Sequence, residues 1–172
     1  MKRTLVLLAI VRLLSPSALA QHRHEVKTMK FKISGSVITL ANPLEGPFSV
    51  LPIYAGTGNV GGITGSGFQA YQQLGPQGEM VCEAGQSAIR FDSTGDMLLL
   101  HITPGLSGTM APGPEPGTFV WTQTWNGTTA GGTGRFAGAT GTFTKTLTGF
   151  VLMPPGFVSP WEGTLAISLD RN

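Results

Sequence analysis

Gly132-Thr133-Gly134-Arg135-Phe136-Ala137-Gly138-Ala139-Thr140-Gly141 runs straight into Thr142-Phe143-Thr144-Lys145-Thr146-Leu147-Thr148, and the join between these stretches decides the fold. The first is glycine punctuation. The second alternates longer side chains with threonine, the two-residue period of a strand. The punctuation occurs once before, as Gly56-Thr57-Gly58-Asn59-Val60-Gly61-Gly62-Ile63-Thr64-Gly65, 76 positions upstream and identical at six of ten positions. Glycines so spaced permit positive φ and close backbone approach, so each copy predicts a corner between strands.

The same alternation recurs outward from this point. Phe119, Trp121, Gln123 and Trp125 oppose Thr118, Val120, Thr122 and Thr124; Leu165, Ile167 and Leu169 oppose Ala166 and Ser168; Phe31, Ile33 and Val37 share a face. Met97 to Ile102 is more continuously apolar and predicts a strand buried on both faces. Beyond the first twenty residues no stretch carries apolar side chains at helical spacing. Strands are predicted at about 29–40, 50–58, 62–73, 79–83 running into 87–92, 96–103, 118–126, 141–152 and 161–170. Eight antiparallel strands are enough to close a small barrel that holds side chains or one small ligand. The expected fold is therefore all-β, an antiparallel β-barrel of about eight strands, with a two-sheet sandwich as the alternative. Pro104 to Gly117, with four prolines and four glycines, reads as a stiff loop able to cap one barrel mouth. Asn126-Gly127-Thr128 fits a glycosylation acceptor, but Asn-Gly also signals a tight turn, which is the preferred reading.

Gly131-Gly132-Thr133-Gly134-Arg135-Phe136-Ala137-Gly138-Ala139 resembles the segment before one of the last strands in small secreted barrels of the allene oxide cyclase and dirigent families. The resemblance covers about a dozen residues and, more loosely, the eight-strand plan. It implies an interior that accommodates a hydrophobic or phenolic ligand and a protein that steers a cyclisation or coupling. It also implies assembly into dimers or trimers, and it carries over no catalytic residue. Within the segment, Phe136 is expected to insert as an anchor, and Arg135 either to cap carbonyls or to point outward. A dinucleotide fingerprint would need a helix after the glycines, and a threonine-rich strand follows instead.

Residues 1–20 have the form of an export leader: Lys2 and Arg3, an apolar stretch from Thr4 to Val11, and a small-residue cleavage site at Ala18-Leu19-Ala20. The expected product is secreted or periplasmic, with a flexible terminus at 21–28 and one barrel domain over 29–172. The full chain has a formal net charge of +2, and losing Lys2, Arg3 and Arg12 leaves −1. No basic face remains to hold nucleic acid, and no long apolar segment remains for stable membrane insertion. The single cysteine, Cys82, excludes an intrachain disulfide and reads as a small buried side chain. His22, His24, His101 and Cys82 do not compose a metal site, which wants three or four converging ligands. No cofactor is implied.

The leading functional expectation is a non-catalytic module that binds a small apolar or aromatic compound, with Tyr71, Trp121 and Trp125, joined by Trp161, as wall residues. A second is an isomerase or cyclase acting by confinement, with Glu83, Arg90 and His101 as polar participants. A third is a structural envelope module that associates through open strand edges.

Overall fold

A computed structural model of the chain describes residues 27–41, 46–116, 118–152 and 158–170. The leader predicted over 1–20, and His22 and His24, lie outside the described residues. Among the described residues nine strands form one sheet: β1 (Lys27–Thr39), β2 (Phe48–Gly58), β3 (Gly61–Tyr71), β4 (Glu79–Phe91), β5 (Met97–Ile102), β6 (Gly105–Pro112), β7 (Thr118–Gly132), β8 (Gly141–Leu152) and β9 (Val158–Leu169). A 3-10 turn at Gly134–Phe136 joins β7 to β8.

Every neighbouring pair is antiparallel, and the sheet closes on itself. The first and last strands pair from Lys27 opposite Leu169 to Ile38 opposite Val158. Around the ring the strands follow chain order, an up-and-down barrel of eight walls. One wall is built from two strands in series. β5 pairs with Gln86–Arg90 of β4 and with the second half of β7. β6 continues the same track, pairing with Glu79–Cys82 of β4 and with Phe119–Gln123 of β7. The break falls at Thr103-Pro104, where proline has no N–H to give the ladder. Closure leaves no unpaired edge along the described strands, which removes the template for edge association.

Three local expectations are corrected by this architecture. Pro104 to Gly117 is not a capping loop, because Gly105–Pro112 is strand β6, held by β4 and β7 on its two sides. Asn126-Gly127 is not a turn: it lies within the 15-residue β7. Gly127 is small because the Phe143 ring packs where its Cβ would be. Met97–Ile102 is buried on one face only; Leu98, Leu100 and Ile102 point inward while Met97 and Leu99 are exposed.

The two glycine phrases form corners at the same end of the barrel. The first makes the β2–β3 turn, where Gly61 has φ +105°, and the second the β7–β8 turn, where Gly134 has φ +53°. Phe136, carried by the second, plugs this end. Its ring lies 4.6 Å from Phe91, which meets Phe31 edge-on at 6.1 Å. Arg135 stacks over both Phe91 and Phe136 and meets Asp96 at 3.4 Å. Above the plug the interior fills with Ile33, Ile63, Ile89, Leu98, Leu100, Phe143, Leu165 and Ile167. The outward positions of β7 and β8 are mostly threonine. On these two walls a mostly apolar inside and a polar outside reverse the alternation of outer-membrane barrels, and no described helix is long and apolar enough to cross a membrane.

Candidate functional site

At the end opposite the plug the interior changes character. Inward positions of β7 place Trp121, Gln123 and Trp125 in one column, and β9 adds Trp161. Phe48 of β2 stacks on Tyr71 of β3, rings 4.9 Å apart and nearly parallel. Gln123 Nε2 donates to the Tyr71 hydroxyl at 3.1 Å, and Ser107 Oγ donates to the Met80 carbonyl at 2.9 Å. Burial pushes the Tyr71 phenol well above the usual range. These side chains surround a crevice of about 40 Å³ that reaches the rim at Thr39 and Met110. That is room for a few waters, far below the roughly 300 Å³ of a pocket that swallows a drug-sized molecule.

The crevice shares two of its walls with a lysine. Lys145 sits on β8 between the inward Phe143 and Leu147 and is 3% exposed. Its Nζ lies 3.9 Å from the Tyr54 ring centroid, 4.7 Å from that of Trp161 and 5.3 Å from that of Trp125. Three electron-rich faces thus surround the amine, the arrangement that attracts a cation. Yet Nζ has no hydrogen-bond partner among the described residues, and neither does the indole N–H of Trp125 or of Trp161. The Trp125 N–H is close enough to the Tyr71 hydroxyl to favour its ionised form slightly, but it does not reach hydrogen-bond geometry. Burial without a counter-charge lowers the Lys145 pKa from 10.5 to about 7.

Tyr54 is fixed independently of the lysine. Its hydroxyl shares a 2.8 Å hydrogen bond with Ser87 Oγ, which donates to the Ser66 carbonyl at 2.9 Å. Burial pushes its phenol up to about 12. The ring lies across Gly65 of β3, where a Cβ would stand 2.6 Å from the hydroxyl. A residue with any side chain there would displace Tyr54 from the amine.

Of the residues the sequence singles out, Tyr71, Trp121, Trp125 and Trp161 all face this crevice. Glu83, Arg90 and His101 do not join them; all three are on the outer wall and exposed. Glu83 accepts a hydrogen bond there from Gln72 at 3.1 Å. Cys82 is buried, with its Sγ 3.4 Å from the Ala84 carbonyl, and burial pushes its thiol up to about 11. No group of three or more metal-ligating side chains occurs among the described residues. Lys145 and Tyr54, with Phe48, Met80, Ser107 and Gln123 around the crevice, are site residues that sequence reasoning missed. The signal for the lysine was present, since the period of two puts it on the same face as Phe143 and Leu147.

The protein is thus a closed antiparallel barrel with an aromatic crevice at one end and a buried lysine beneath it. Comparison of the chain with family models, with curated proteins and with solved structures gives no match.

Proposed function

We propose that the chain is an exported binding module that takes a small apolar or aromatic compound at the aromatic end of its barrel. The observation that carries this reading is the crevice walled by Trp121, Trp125, Trp161, Phe48 and Tyr71 and reaching the rim. Aromatic walls with a few placed polar groups are the usual lining of small-molecule sites. The small volume means that only a head of a few heavy atoms enters, while the body of the ligand lies against Val37, Val50, Pro52 and Met110 nearer the rim. The resemblance of Gly131–Gly141 to barrels that hold hydrophobic or phenolic ligands supports the same reading, and the leader-like residues 1–20 support export.

The chain has only three tryptophans, and all three line the crevice. Intrinsic fluorescence therefore reports on this site alone. Titration with neutral aromatic probes that do not emit in the tryptophan band, such as benzyl alcohol or benzamide, is expected to quench or shift the emission saturably. Trp121→Ala is expected to weaken that response. A linear, non-saturating change with every probe would sink the proposal.

A further inference from the structure

We infer that the ligand carries a carboxylate head, and that Lys145, flanked by the indole N–H groups of Trp125 and Trp161, is the residue that receives it. The inference rests on the binding reading above and specifies its chemistry.

Three buried donors without a hydrogen bond belong to or face the same two rings: Lys145 Nζ, the Trp161 N–H, and the Trp125 N–H, which has only the Tyr71 hydroxyl near it. Each unsatisfied buried donor costs about 1–3 kcal/mol, more if charged, and native structures carry few of them. Their concentration beside a crevice marks a place where an acceptor belongs. A carboxylate has two oxygens, accepts only, and offers about four lone-pair positions. A neutral amide or alcohol head brings a donor of its own into surroundings already rich in donors. A dianion would leave surplus charge in an apolar interior beside a single amine. A cationic head would face Lys145 directly.

The path is short. Trp125, Trp161 and Leu147 line the crevice, and Lys145 is the next inward residue on β8 below Leu147. No competing anion faces the amine. β2 contributes Tyr54, whose phenol stays protonated and is bonded to Ser87, while β7 and β9 contribute the two indoles. No aspartate or glutamate is buried among the described residues. Above neutral pH the free amine is largely uncharged, so a bound carboxylate draws one proton from solvent: RCOO⁻, H⁺ and the Lys145 amine give a carboxylate–ammonium pair.

The test is calorimetry on the folded chain at about pH 8, with benzoate as probe and benzamide as its neutral counterpart, in two buffers of different ionisation enthalpy. Benzoate is expected to bind about tenfold or more tightly than benzamide, the effect of one charge-assisted contact. Close to one proton is expected to be taken up per benzoate bound. Lys145→Met should remove both the preference and the proton uptake. Trp161→Phe, which keeps a ring and loses the N–H, should remove part of the preference and serves if the methionine variant fails to fold. Equal affinity for the two probes, or a preference that survives both substitutions, overturns the assignment. Benzamide binding without benzoate binding defeats the carboxylate head alone, whereas binding of neither defeats the aromatic-ligand reading with it.

Discussion

Replacing Lys145 with methionine should stabilise this protein, and the gain should shrink as pH rises. Methionine nearly matches the volume of lysine, so packing around Tyr54, Trp125 and Trp161 survives. The energetic difference lies in the proton. In the unfolded chain the amine titrates near 10.5, and in the folded barrel burial lowers this to about 7. Between those values the unfolded chain holds more protons at this group, so the Lys145 contribution to wild-type stability rises with pH across that interval. Below about pH 7 the amine is charged in both states and the full penalty is present. At about 1.4 kcal/mol per pH unit, the gap from 10.5 to about 7 gives a ceiling of about 5 kcal/mol. The methionine variant should therefore gain up to about 5 kcal/mol at pH 6 and about 2 kcal/mol at pH 9. Cys82 and Tyr54 restrict the window. Their raised values, about 11 and about 12, keep them neutral in the barrel while the unfolded chain ionises, so both proteins lose stability above about pH 9. Urea unfolding of the two proteins from pH 6 to pH 9 measures the difference. A variant no more stable than wild type at pH 6, or a gain that is flat with pH, refutes the reasoning.

Other substitutions probe the frame that positions the site. Gly65→Ala places a methyl against the Tyr54 hydroxyl and should cost about 1–3 kcal/mol in urea unfolding, with loss of the Tyr54–Ser87 bond; an unchanged midpoint would mean the ring is not seated there. Phe136→Ala unplugs the glycine-cornered end and should cost about 3–5 kcal/mol. Arg135→Ala, in contrast, removes a half-exposed ion pair and stacking worth about 1 kcal/mol, so equal effects from the two would contradict the plug. The Cys82 thiol should resist alkylation in the folded chain and react after unfolding, because it is buried and its pKa is pushed up to about 11; rapid labelling of the native protein would show that the β4 wall opens.

The barrel was legible because alternation and glycine punctuation are local signals. The walls formed by β7 from Trp121 onward, by β8 and by β9 repeat a two-residue period, and the duplicated phrases mark two corners at one end. The errors came where non-local pairing overrides local chemistry. Gly105–Pro112 looks like a loop by composition, yet β4 and β7 both extend past β5 and leave a slot that only the next segment can fill. Asn126-Gly127 has turn chemistry, but its glycine is spent on close packing against Phe143. At the site, Trp121 and Trp125 were readable as inward residues from the alternation of β7 alone. Glu83, Arg90 and His101 attracted attention as titratable groups near central strands, yet their register puts them outside. Lys145 was on the apolar face in plain alternation, but that it has no partner depends on what β2, β7 and β9 bring opposite it.

Carbon-13 labelling of the lysine side chains, with Lys145→Met to assign the resonance, would follow the Lys145 ε-carbon by NMR as pH is varied. A midpoint near 7, set apart from the exposed lysines, is what an unpartnered amine enclosed by Tyr54, Trp125 and Trp161 must show. A midpoint at the ordinary lysine value of about 10.4 would place the amine in water or beside a counter-charge and contradict the account.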